Sequence, residues 1–184
     1  MKRVLSCAFI LIAMLILTAA VCAADMKADL IAAIQAGDAQ KASNLLAKGA
    51  DANGIYDNNL TPLMFAAYED SIEVAALLIE KGASINARSS EGRTPLMIAV
   101  LSEKPAMVKL LLDKGADANA QNDFGLFPLM YATLTGKTEL VRLLIDKGAN
   151  VNVKNKYGTT PLSFASELGR TGIVQLLREM GAKE

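Results

Sequence analysis

The chain has 184 residues, 52% of them apolar, and its 19 basic side chains are matched by 19 acidic ones for a formal net charge of +0. That is enough apolar material for a sizeable core, and the charge balance offers no basic surface for nucleic acid or anionic lipid. With no histidine and 2 cysteines, the chain lacks the commonest general base and has little from which to build a nitrogen or sulfur metal site.

Taken in chain order, Met1, Lys2 and Arg3 open with two positive charges, residues 8–17 (A-F-I-L-I-A-M-L-I-L) are wholly apolar, and T-A-A-V-C-A-A precedes Asp25. This is the layout of a secretory signal peptide over residues 1–24, with cleavage expected after Ala23 or Ala24. Two other readings exist. Val4 to Ala24 is long enough to span a bilayer as an uncleaved anchor, and a lipoprotein would need Cys22 as its first mature residue, although Val21 stands where a small residue is expected. Cleavage discards Cys7 and Cys22 together, so the mature chain would carry neither thiol nor disulfide and would rest on its core alone. It also removes Lys2 and Arg3, leaving the mature chain slightly acidic and with no membrane segment.

Past this leader the chain repeats itself. T-P-L words begin at Thr61, Thr94 and Thr160, with F-P-L at Phe127. Gly49, Gly82, Gly115, Gly148 and Gly181 form a second row, each followed by Ala, and Asn53, Asn86, Asn119 and Asn152 form a third. All three rows step by thirty-three residues and divide the chain into units at 25–57, 58–90, 91–123, 124–156 and 157–184. Thr can cap a helix whose first position is Pro, where the missing N–H costs little. In the second unit this predicts a short helix from about Pro62 to Glu69, then a helix over I-E-V-A-A-L-L-I-E-K (Ile72 to Lys81) closed by Gly82. Neither helix can bury its apolar side alone; stacking against the equivalent helix of the next unit supplies the missing partner.

The unit E-G-R-T-P-L-M-I-A-V-L-S-E-K-P-A-M-V-K-L-L-L-D-K-G-A-D-A-N-A (Glu91 to Ala120) resembles the ankyrin repeat, with its period and its T-P-L-H-x-A opening. The resemblance covers about residues 29–184 and implies an all-α solenoid of helix-turn-helix units with β-turn fingers. Asp29 to Asn53, which lacks T-P-L, reads as an N-terminal cap, and Tyr157 to Glu184, with polar Arg170, Gln175, Arg178 and Glu179, as a C-terminal cap. The family histidine of T-P-L-H, which bonds the neighbouring turn, is Met64, Met97, Met130 and Ser163 here, so the turns need another link. Methionine at these places suits packing between units. Gly37, Gly136 and Gly169 fit the turn between the two helices, but Asp70 and Glu103 replace them in two units, at about 1 kcal/mol each if φ is positive. Asn59 stands at the glycine position before Thr61, and Pro105 is expected in the first turn of its helix.

Catalysis finds little support. The mature chain has no histidine or thiol and no Gly-rich phosphate loop, and Asp51, Asp117 and Asn150 share one repeat row with Ser84, as structural residues do. No catalytic residue, cofactor site or metal site is expected. The E-K and D-K pairs before each glycine (Glu80 and Lys81, Asp113 and Lys114, Asp146 and Lys147) read as solvated helix ends, with Lys at the negative end of the dipole.

The resemblance instead implies a protein partner lying on the concave face, against fingertips and the exposed side of each first helix. Carried over by row, the tips are Asn58, Glu91, Phe124 and Tyr157, then Leu60, Arg93, Leu126 and Thr159; the first-helix row is Tyr68, Leu101, Leu134 and Glu167. Leu101, Leu134, Phe124, Leu126 and Tyr157 would form the centre of one apolar patch, rimmed by Glu91, Arg93 and Lys156, with Leu60 and Tyr68 beside it. The alternative is local packing of these side chains against adjacent turns. The function expected is a periplasmic or secreted interaction scaffold; the alternatives are a regulatory or stabilising companion of a periplasmic enzyme and, more distantly, an enzyme.

Overall fold

The structure, a computed structural model, describes residues 25–183, so the leader expected over 1–24 lies outside the described residues. Among the described residues ten α-helices run in order: α1 over 25–35, α2 (Ala39–Ala47), α3 (Pro62–Glu69), α4 (Ile72–Glu80), α5 (Pro95–Leu101), α6 (Pro105–Asp113), α7 (Pro128–Thr135), α8 (Thr138–Asp146), α9 (Pro161–Glu167) and α10 (Thr171–Glu179). No strand occurs among the described residues. First helices pack on first helices (α3 on α5, α5 on α7, α7 on α9) and second helices on second helices (α4 on α6, α6 on α8, α8 on α10). The result is an all-α repeat solenoid.

Stacking is driven by rows of apolar side chains at the repeat period. Leu63, Leu96, Leu129 and Leu162 are buried in the first helices, and Leu78, Leu111, Leu144 and Leu177 in the second. Met64, Met97 and Met130 are 1%, 0% and 0% exposed, so the methionine row packs inside the stack. Truncating a buried leucine of this kind to alanine costs about 2–5 kcal/mol.

Helix starts follow the expected word with one correction. Pro occupies the first turn of α3, α5, α7 and α9, and Pro105 that of α6. Thr94 Oγ1 accepts from Met97 N at 3.3 Å, and Thr160 and Ser163 form a reciprocal capping box. Thr61 makes no such bond: its Oγ1 is buried without a partner. The fixed φ of Pro62 and the burial of Leu63 and Met64 therefore suffice to start α3. The interhelical turns behave as the glycine pattern implies, with φ of 62° at Asp70 and 56° at Glu103 against 76° at Gly136.

Without histidine, the asparagine row joins the units. Asn53 Nδ2 donates to Gly82 O at 2.9 Å while its Oδ1 accepts from Ser84 N at 2.7 Å, tying one unit to the helix end of the next. Asn86 accepts from Asp117 N at 2.9 Å, Asn119 from Asn150 N at 2.8 Å and Asn152 from Lys183 N at 2.8 Å. Each bond satisfies a backbone group in the loop that follows a second helix.

Candidate functional site

Each finger is the loop between one unit's second helix and the next unit's first. In three fingers a single side-chain oxygen closes the loop. Ser89 Oγ accepts from Glu91 N at 3.3 Å and Arg93 N at 3.1 Å; Asn122 Oδ1 from Phe124 N at 3.1 Å and Leu126 N at 2.8 Å; Asn155 Oδ1 from Tyr157 N and Thr159 N, both at 2.9 Å. These acceptors hold in place the tip residues read from sequence. Sequence reasoning passed over the row, whose only signal is a small acceptor two residues before three of the four tips, with Tyr56 before the other.

Neighbouring fingers are also tied together. Ser90 N donates to Asn58 O at 2.8 Å and Asp123 N to Glu91 O at 3.1 Å. Arg88 reaches across to Gln121 O at 2.8 Å and to Asp123 Oδ1 at 2.9 Å. That pair lies so close to Gly92, with φ of 71°, that a Cβ there would meet Asp123 Oδ1 at 2.4 Å. Asn155 Nδ2 links to Gly125 O at 3.2 Å. The fingers thus form one preorganised edge, which limits the ordering cost of binding.

Of the expected partner-binding residues, Tyr68, Leu101, Phe124, Leu134 and Tyr157 are 61%, 38%, 57%, 40% and 70% exposed. Local packing therefore leaves much of each side chain facing solvent. Leu60 and Leu126 are half-buried, and so are Glu91 and Arg93, which pair with each other at 2.6 Å. Lys156 is exposed, with Nζ 5.2 Å from the centre of the Tyr157 ring.

These residues do not all converge. Leu60, Tyr68, Arg93 and Leu101 line one groove of about 710 Å³ between the second and third units, with Met64, Phe65, Glu69, Ile98, Ser102 and Lys104. Phe124, Leu126, Leu134, Lys156 and Tyr157 lie outside it, toward the fourth and fifth units. One row of side chains accounts for the division. Ser71 Oγ reaches back to Ile34 O at 2.7 Å, Lys137 to Glu103 at 3.0 Å and Arg170 to Leu134 O at 2.9 Å, each closing a junction between units. Lys104, the member of that row between the second and third units, lines the groove instead.

Among the described residues no group of three or more His, Cys, Asp or Glu side chains is placed to hold a metal ion. At the end of α6, Lys147 and Lys109 hydrogen-bond Asp113 and hold its carboxyl below its ordinary value. Lys81, Lys114 and Lys147 follow the last residues of α4, α6 and α8, the helix-end placement read from sequence.

The family model described as "Ankyrin repeats (3 copies)" matches residues 30–122 and again residues 102–184. No curated protein matches the chain. Ankyrin repeats generally mediate protein–protein interaction, and proteins built from them are typically scaffolds without enzymatic activity. With its repeats matched from residue 30 to residue 184, its helix pairs stacked in register and its fingers joined along one edge, the chain belongs to the ankyrin-repeat family.

Proposed function

We propose that this chain is an exported scaffold that docks another protein against its fingers and first helices, the concave side of an ankyrin stack. The observation that carries the reading is the exposure of Tyr68, Leu101, Leu134, Phe124 and Tyr157 on rows that vary from unit to unit, above rows that stay apolar and buried. A soluble surface gains nothing from five large apolar side chains on one preorganised side, whereas a partner that covers them gains their desolvation. Export rests on the charged, apolar and small-residue order of residues 1–24. Among the described residues no helix is long and apolar enough to cross a membrane.

The test is affinity capture from an extract of the source cells with the mature chain and with a Leu101→Glu, Phe124→Ser, Leu134→Glu variant, after circular dichroism has shown both to be equally helical. A protein captured by the first and lost by the second supports the reading; equal capture overturns it. N-terminal sequencing of the exported protein checks the leader, with residue 24 or 25 expected first and Met1 as the contrary result.

A further inference from the structure

The fingertips of the fourth and fifth units carry a chemistry that the other fingers lack. Phe124 and Tyr157 hold the same tip position one period apart and are 57% and 70% exposed. Their loops are closed by Asn122 and Asn155, and Asn155 Nδ2 bonds Gly125 O at 3.2 Å, so the two rings are held on adjoining rigid loops. Lys154 and Lys156 precede Tyr157 in the same finger and are exposed. The one carboxylate at these two tips, that of Asp123, is already engaged by Arg88 at 2.9 Å. The row of Lys156 reads Asp57, Ser90 and Asp123 in the earlier fingers, and the arginines of those fingers, Arg88 and Arg93, are ion-paired with Asp123 and Glu91.

From this geometry we infer that the fourth and fifth fingertips recognise an acidic segment of a partner protein, in which Asp or Glu side chains flank a bulky apolar residue. The apolar residue packs on the Phe124 and Tyr157 rings while its acidic neighbours meet Lys154 and Lys156, a pairing of opposite potentials that sets specificity. The inference rests on the reading of this side as a protein-docking surface and narrows its partner chemistry. An anionic membrane is the weaker fit, because basic patches that hold proteins on membranes gather about 4–8 Lys or Arg residues, well beyond this pair.

Fluorescence anisotropy with labelled peptides tests it on the mature chain. Ac-Glu-Leu-Phe-Glu-Asp-NH2 is compared with its amide counterpart Ac-Gln-Leu-Phe-Gln-Asn-NH2 and its basic counterpart Ac-Lys-Leu-Phe-Lys-Lys-NH2. The acidic peptide is expected to bind at least about tenfold tighter than the amide one, as charged hydrogen bonds allow, and to weaken with added salt. Lys154→Gln with Lys156→Gln removes that preference, Lys81→Gln at the solvated end of α4 keeps it, and Phe124→Ser weakens acidic and amide peptides alike. Equal affinity for acidic and amide peptides, preference for the basic peptide, or no binding overturns the inference. Co-sedimentation with phosphatidylserine and phosphatidylcholine vesicles that the lysine variants abolish also overturns it, by assigning the tips to a membrane. The broader docking reading fails separately, through capture that Leu101→Glu and Leu134→Glu leave unchanged.

Discussion

The fingers that open the second and fourth units turn the same corner with different chemistry. In the fourth, Asn122 accepts two backbone N–H groups and donates to Tyr131 Oη at 2.9 Å, while Gly125 takes the left-handed position at φ 80°. In the second, the matching residue is Tyr56, which cannot bond the loop from within. Its ring packs edge-on against Phe65 at 5.4 Å, its hydroxyl donates to Lys27 O at 2.9 Å, and Lys27 Nζ lies over the ring at 4.4 Å and bonds Ile55 O. Left-handed Asn59 replaces glycine there, and the tip residue Asn58 is left-handed as well. A repeat position is thus defined by the loop that must be closed; an inward acceptor does it in the stack, and an aromatic clamp on α1 does it at the N-terminal end.

The sharpest way to break the comparison is Asn122→Leu. It removes three hydrogen bonds and leaves Phe124 N, Leu126 N and the buried Tyr131 hydroxyl to find other partners, at about 3 kcal/mol. Urea unfolding measures the loss, and faster amide exchange at Phe124 and Leu126 localises it.

Tyr56→Phe is the gentler counterpart. It keeps the ring packing and loses only the bond to Lys27 O, so about 1 kcal/mol is expected. Burial first, and the charge of Asp51 second, push the Tyr56 pKa from 10.0 up to about 12. Because the folded state favours the protonated phenol, its contribution is intact below pH 10 and is lost as pH rises toward about 12. Between those values the wild type should lose part of its stability advantage over Tyr56→Phe, by an amount that partial solvent exposure reduces. A constant difference between the two chains would contradict the clamp.

The threonine caps extend the contrast. Thr160→Val breaks the capping box and should cost about 1 kcal/mol in thermal unfolding. Thr61→Val removes a hydroxyl that has no partner and should change stability by less than about 0.5 kcal/mol, or raise it. A comparably small effect is expected from Glu103→Gly. Relief of the left-handed turn at φ 56° should slightly outweigh the lost exposed pair with Lys137, for a gain of about 0.5 kcal/mol.

Much of the fold could be read from the chain. The second unit's first helix spans Pro62–Glu69 as expected, and its second ends at Glu80, one residue before the expected Lys81, which serves as the cap. Positive φ at Asn59, Asp70 and Glu103 followed from their places in glycine rows. The site was legible as rows but not as a surface. Exposure of Leu101 and Phe124 matched their positions, yet the groove opens beside Leu60, Tyr68 and Arg93, and the fourth and fifth tips stand apart from it.

Sequence alone determined the period, the helix pairs, the buried rows and the left-handed turns, because each depends on apolar spacing and backbone preferences acting within a unit. Only the tertiary structure decided which oxygen closes each finger, how asparagines replace the missing histidine, and where the inter-unit surface stays open. Those outcomes turn on side chains such as Asn53, Arg88, Lys137 and Arg170 reaching residues 29 to 36 positions away. Such contacts exist only once the units have stacked, and so no local pattern in the chain encodes them.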